Sequence, residues 1–269
     1  MSQSRSKVLN RFNRRWIQFS LRGVFIATIV MALWLGHVVS RAHNQKLVVS
    51  HVQESGGTVW FETDQPRFVE HWMNPARIPS TVPVGPDWLR TFLDDDYLRN
   101  AVQIDFRDAT QKGFKPPNFE ELGPLLGKLS EIETIRLDWR VSSDETLAAL
   151  TKHSSLSRLN NLYVDGLVTD NGLEHVGRLS GLKTLNLPYT TLTDNGVTHL
   201  ASLPHLHSLI LFSTELTEKG IAVVLSQPNL RSVVLYNCAI SEDRFASLAN
   251  RHPEIDARLY FTSRYRESK

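Results

Sequence analysis

Cysteine is nearly absent from this chain of 269 residues, where Cys238 stands alone. A lone thiol excludes an intrachain disulfide, a multi-cysteine zinc site and an all-cysteine iron–sulfur cluster. Acidic residues are missing from the first 53 positions, although eight basic ones stand there: Arg5, Lys7, Arg11, Arg14, Arg15, Arg22, Arg41 and Lys46. Setting those eight aside from the 30 basic residues leaves 22 against 28 acidic ones, a net charge of −6 for the remainder. A body of that sign is poorly suited to a polyanion, so no nucleic-acid partner is expected. A G-x-S-x-G elbow is also missing, and no catalytic residues are assigned. Asp94–Asp95–Asp96 lacks the spaced carboxylates and glycine of a calcium loop and reads as a solvated helix end. With 41% hydrophobic and 22% charged residues, the chain is too apolar for disorder and long enough for one or two cores.

One long stretch does lack charge. Between Arg22 and Arg41 the sequence reads GVFIATIVMALWLGHVVS, with only His37 ionisable. Gly23 to Val39 is 17 residues, roughly 25 Å as a helix, which is the short end of what spans a bilayer core. The run exceeds a usual signal-peptide core and no A-x-A site follows it, so an uncleaved signal-anchor helix over 23–40 is expected. Six of the basic residues precede it, against Arg41 and Lys46 after it. The positive-inside rule then puts the leader 1–22 in the cytoplasm and the rest outside it, as a single-pass protein of the cell membrane.

Residues 41–99 read as a mixed α/β linker. Leu47, Val48, His51 and Val52 form a helical stripe ended by Gly56–Gly57, and TVWFET alternates like a strand. Five prolines from Pro66 to Pro86 mark a loop over 62–87, and PDWLRTFLDDDYLRN suits a short helix.

From Ile132 the sequence repeats itself. The pattern L-x-x-L-x-L recurs as Ile132/Ile135/Leu137, Leu159/Leu162/Val164, Leu182/Leu185/Leu187, Leu206/Leu209/Leu211 and Leu230/Val233/Leu235, at intervals of 27, 23, 24 and 24 residues. Each unit continues through a polar turn into a second apolar group: SDETLAAL, TDNGLEHV, TDNGVTHL, TEKGIAVV and SEDRFASL. This is the signature of an α/β leucine-rich-repeat solenoid of strand–turn–helix units, expected over 100–262. The last two apolar residues of each L-x-x-L-x-L group share one strand face and point into the core. Ser143, Thr169, Thr193, Thr217 and Ser241 are placed to cap helices, and the acidic residue after each favours the positive end of the helix dipole. Gly172, Gly196 and Gly220 leave room for close packing. NAVQIDFRD and FEELGPLLGKL suit a degenerate first unit covering one end of the core. At the other end HPEIDARLYF restarts a unit, with Arg258 at an expected apolar position, before a basic tail over 263–269.

Two departures put regular stacking in question. The second unit lacks one residue before its turn, and the first has Arg140 where Thr or Cys is expected. Cys238 shares the position of Thr190 and Thr214 and reads as structural. His175 and His199 recur 24 residues apart but read as solvated surface; no metal or other cofactor is expected.

Alternation also fixes the outward side chains. Ile210, Phe212, Val234 and Tyr236 must point away from the core, while Arg136/Asp138 and Tyr163/Asp165 occupy the same columns as solvated residues of an idle face. Asn186 and Pro188 lie between. Tyr163, Asn186, Ile210, Phe212, Val234 and Tyr236 are therefore the candidate binding residues of the concave face, apolar towards its C-terminal end, for a protein or peptide ligand.

The basic leader RRWIQFSLR before an apolar helix, the segment RAHNQKLVVSHVQESGGTVWF, and WLRTFLDDDYLRNAVQIDF leading into TDNGL-type repeats together resemble a family of bacterial single-pass membrane-anchored leucine-rich-repeat proteins. The VTDNGL and LTDNGV turns also resemble the cysteine-containing repeats of F-box proteins, but no F-box-like region precedes them. The resemblance implies protein–protein interaction without catalysis. The alternative, from another class, is a structural envelope protein that self-associates or contacts envelope polymer.

Overall fold

The computed structural model describes residues 21–61, 101–106, 115–129, 131–153, 156, 158–212 and 215–261. The leader before residue 21, the proline-punctuated stretch, the helix expected around Asp94–Asp96, Thr214 and the basic tail lie outside the described residues. Two compact units divide the chain at Ala42/His43.

The first unit carries most of the apolar part of helix α1, which runs from Leu21 to Glu54. Val24, Phe25, Ile26, Met31, Leu33 and Trp34 are all exposed there. Among the described residues no partner face buries this run, so its helical form satisfies the backbone while the side chains remain available to an apolar solvent. It is long and apolar enough to cross a membrane.

In the second unit α1 continues without a break. Its buried stripe is Gln45, Val48, Val49 and Val52, the i, i+3, i+4, i+7 spacing of one helix face. Leu47 and His51, expected on that stripe, are only half-buried. Gly56, at φ 72°, turns the chain, a conformation that glycine adopts without strain. Gly57 is held close by packing, because a Cβ there would lie 2.7 Å from both Val52 and Phe106. The chain then enters β1 (Thr58–Phe61).

Strands β2 (Ala101–Asp105), β3 (Thr134–Leu137), β4 (Asn161–Val164), β5 (Thr184–Leu187), β6 (Ser208–Phe212), β7 (Ser232–Tyr236) and β8 (Asp256–Tyr260) follow in one sheet whose spatial order is the sequence order. β1 pairs antiparallel to β2, while every later neighbour is parallel. The returns run through α2 (Phe119–Leu126), α3 (Asp144–His153), α4 (Asp170–Val176), a 3₁₀ helix (Gly196–Ser202), α5 (Glu218–Leu225) and α6 (Glu242–Ala249). The architecture is the expected solenoid, with α2 completing a first unit and the α1–β1 turn closing its edge. The fourth return, Gly196–Ser202, differs from expectation in being 3₁₀ rather than α.

Alternation builds the core. Ile135, Leu162, Leu185, Leu209 and Val233 align in one inward row, and Leu137, Leu187, Leu211 and Leu235 in another, all at most 1% exposed. Val168, Leu192 and Leu216, each just before the threonine of its turn, are equally buried.

The turns TDNG, TDNG and TEKG that open at Thr169, Thr193 and Thr217 have a more specific logic than helix capping. Thr169 and Thr217 do cap their helices, each hydroxyl accepting a backbone N–H two residues on. Thr193 accepts the same bond from Asn195 N–H, but its 3₁₀ helix begins only at Gly196, with Asn195 as a cap that makes no side-chain bond, so the cap expected of Thr193 is not formed. The N–H and Oγ1 of all three threonines also donate to the aspartate of the preceding unit. Thr193 bonds Asp170 at 2.9 and 2.6 Å, and Thr217 bonds Asp194 at the same two distances. Thr169 does so with Asp144 at 2.9 and 2.5 Å. The glycine three residues after each threonine faces that carboxylate, since a Cβ at Gly172, Gly196 or Gly220 would lie 2.4, 2.1 or 2.2 Å from an aspartate Oδ1. Each aspartate thus stitches its unit to the next. The ladder ends where its chemistry changes: Glu218 replaces the aspartate, Arg244 replaces the glycine, and the two approach to 3.7 Å.

The two irregular units stack in register. The shorter second turn passes through Gly166 at φ 149°, where a Cβ would lie 3.0 Å from Trp139 Cα. Arg140 folds back on Asp138, its N–H and Nε both donating to Oδ1. Cys238 is fully buried, with Sγ 3.8 Å from the Tyr236 carbonyl, and Thr190 is fully buried beside the Leu187 carbonyl. Both are structural, as expected.

Arg258 requires a correction. β8 pairs Ala257 with Val233 and Leu259 with Leu235, so those two residues continue the inward rows. Arg258 lies opposite Val234 on the outward face, where a charged side chain costs nothing to solvate. The sequence frame fails there because Ile255 stands one place beyond the Leu230-type position.

Candidate interaction face

The sheet face opposite the helices carries parallel rows of outward residues. Gln103, Thr134, Asn161, Thr184, Ser208, Ser232 and Asp256 form a row of small polar groups. Beside it run Asp105, Arg136, Tyr163, Asn186, Ile210, Val234 and Arg258. A further row, at the C-terminal ends of the strands, brings Phe212, Tyr236 and Tyr260 abreast. All six candidate residues therefore share one face, in two rows.

Its N-terminal half is not the solvated surface the sequence implies. Asp105 is 6% and Asp138 7% exposed. Arg136 reaches Asp105 at 3.8 Å and lies over the Tyr163 ring, 4.6 Å from its centroid, a cation–π arrangement. Asp138 is held by Arg140 at 3.1 Å. Asn186 is 8% exposed and its Oδ1 has no hydrogen-bond partner. Charges here satisfy one another, and long side chains cover the short ones between them.

The C-terminal half is aromatic. Phe212 and Tyr236 stack with centroids 3.9 Å apart and planes 7° from parallel. Tyr260 continues the stack at 5.0 Å, and Tyr189 approaches Phe212 at 6.1 Å with a tilted ring. Parallel strands place equivalent residues about 4.8 Å apart, so like rings in one column stack without rearrangement. Burial, and then the neighbouring Tyr260 hydroxyl, raise the Tyr236 phenol above its ordinary value. Ile210 and Val234 pair beside this stack, half-buried.

Sequence reasoning missed Trp139, Leu167 and Tyr189. Trp139, Leu167, Tyr189 and Tyr260 are exposed large apolar side chains, and all follow or end a strand at the same edge of the sheet. Trp139 and Tyr189 occupy the same place in their repeats, two beyond Leu137 and Leu187, and that recurrence was the available signal. Tyr189 sits there at φ 58°, as Asn237 does at φ 52° two repeats later.

Nothing on this face or elsewhere among the described residues groups three or more His, Cys, Asp or Glu side chains into a metal site. His175 and His199 are half-buried rather than solvated, and His175 Nδ1 is enclosed without a partner.

No family model matches the chain, and a comparison with curated protein sequences finds no match. Among solved structures, the chain is similar to the crystal structure of internalin C2 from Listeria monocytogenes, at 19% identity and a TM-score of 0.39, covering 62% of this chain and 82% of that one. The seven in-register parallel strands, their helical returns and the L-x-x-L-x-L core make the second unit a leucine-rich-repeat solenoid of α/β type.

Proposed function

We propose that this protein is a non-catalytic interaction module, held at the cell membrane by α1 and displayed outside the cytoplasm, that binds a protein or peptide on the C-terminal half of its concave strand face. The observation that carries the reading is the half-exposed stack of Phe212 and Tyr236, flanked by Ile210 and Val234 and extended by the exposed Tyr189 and Tyr260. Aromatic rings held rigid by their neighbours give a partner a large contact area at little entropic cost, which is the composition of interface hot spots. Tyr163 and Asn186, packed into the polar half, form the margin of that surface. The continuity of α1 through residues 38–42 supports a retained anchor, because processing near Arg41 would have to cut a helix.

Proximity labelling by the full chain, compared with a Phe212→Ala/Tyr236→Ala variant, tests the reading. Loss of the stack costs on the order of 1 kcal/mol of stability, so the variant folds and a partner specific to the wild type disappears. A labelling pattern identical in both would refute the face assigned here.

A further inference from the structure

The sheet has two ends, and they are finished differently. At one, antiparallel β1 and the end of α1 cover β2. At the other, β8 has no neighbour beyond it among the described residues. Its backbone polarity follows from two bonds: Asp256 N–H donates to the Arg231 carbonyl at 2.8 Å, and the Tyr260 carbonyl accepts from Asn237 N–H at 2.9 Å. In a parallel ladder alternate residues bond to one side. Asp256, Arg258 and Tyr260 therefore spend their backbone groups on β7, while Ala257 and Leu259 aim theirs at the open edge. Those same two residues are half-buried, whereas Val233 and Leu235 beside them are fully enclosed. An edge with unpaired backbone groups above partly uncovered apolar side chains is a template for another strand.

The charges on β8 select that strand. Asp256 and Arg258 are exposed and hold each other through 3.0 and 2.7 Å hydrogen bonds. We infer that β8 pairs antiparallel with β8 of a second copy about a two-fold axis at Ala257, setting Asp256 of each chain opposite Arg258 of the other. This register satisfies three conditions at once. Ala257 faces Ala257 in the pair whose backbone groups point outwards, and Leu259 lies opposite Ile255, whose N–H is already given to the His252 carbonyl so that only its carbonyl is offered. Asp256 and Arg258 fall in the non-hydrogen-bonded pair, where opposed side chains approach most closely. Each chain offers both signs, so the contact is self-complementary as an isologous interface must be. The two adjacent registers that keep the hydrogen bonding place Arg258 against Arg258 or Asp256 against Asp256, which repel. A closed pair of this kind uses the edge once and leaves both strand faces open. It therefore stands or falls apart from the binding reading.

Light scattering of the full chain in detergent, with the bound detergent subtracted, measures the protein mass. The wild type is expected at twice the chain mass. Arg258→Asp and Asp256→Arg should each run as monomers, because each sets like charges against one another. An equimolar mixture of the two should return to the dimer mass, and so should the doubly exchanged chain Asp256→Arg/Arg258→Asp, since both restore opposite signs across the edge. A wild type that is monomeric, single variants that remain dimeric, or a mixture and exchanged chain that stay monomeric would each overturn the proposal.

Discussion

Replacing Gly220 by alanine separates two accounts of the Thr217–Gly220 turn by the sign of the effect. Gly220 lies in the first turn of helix α5 (Glu218–Leu225). Helix propensity alone makes Gly220→Ala stabilising by about 1 kcal/mol. The structure says otherwise, because the new Cβ would sit 2.2 Å from Asp194 Oδ1 and 3.0 Å from its Cγ. The carboxylate must leave, and with it go its bonds to Thr217 N–H and Oγ1. Hydrogen bonds to a charged group contribute about 1.5–3 kcal/mol each. These are exposed to solvent, so the lower value applies and the loss is about 3 kcal/mol. Less the propensity gain, the substitution destabilises by about 2 kcal/mol. In an Asp194→Ala background the obstruction is gone and only Leu216 Cδ2, the end of a flexible side chain at 3.0 Å, remains in the way. There Gly220→Ala should be neutral or stabilising by up to about 1 kcal/mol. The double-mutant cycle should thus show a coupling of about 3 kcal/mol. Urea unfolding of the four chains, followed by circular dichroism, measures it. A stabilising Gly220→Ala in the wild type, or additive effects in the cycle, would mean that the aspartate ladder does not join the repeats.

Leu185→Ala and Leu209→Ala, both at residues fully enclosed between strand and helix layers, should each cost roughly 2–5 kcal/mol; thermal unfolding no different from that of the exposed control Lys183→Ala would show the inward rows to be misassigned. Phenolate absorbance should show the Tyr236 phenol titrating above the ordinary value of 10.0, a component that Tyr236→Phe should remove. Because the folded chain holds that proton beyond the pH at which the unfolded chain releases it, the Tyr236 contribution to stability is fully present below pH 10.0 and is lost as pH rises through the folded value. A stability curve above pH 10.0 that Tyr236→Phe leaves unaltered would contradict the burial of its hydroxyl.

The sequence by itself determined the solenoid. A period of about 24 residues with apolar pairs two apart can be satisfied only by stacking, since no unit encloses its own face. That same alternation placed Ile210, Phe212, Val234 and Tyr236 outward, and the caps Thr169 and Thr217 followed from local chemistry. An uncharged run after a basic leader likewise marked out α1, which among the described residues is the helix long and apolar enough to cross a membrane. What only the tertiary structure decided were relations between units, which no single repeat contains. The glycine of one turn answers the aspartate of the turn before it, as Gly220 does Asp194, and both look merely local in the sequence. Arg136 and Asp138 read as solvated polar residues, yet Asp105 and Arg140 neutralise them under cover of neighbouring strands. The fate of Arg258 hung on a one-residue frame that only the pairing with Val234 resolves, because a slip of one in a strand exchanges its two faces. The stack from Phe212 to Tyr260 exists because parallel register sets like residues side by side, a distance that sequence separation does not encode.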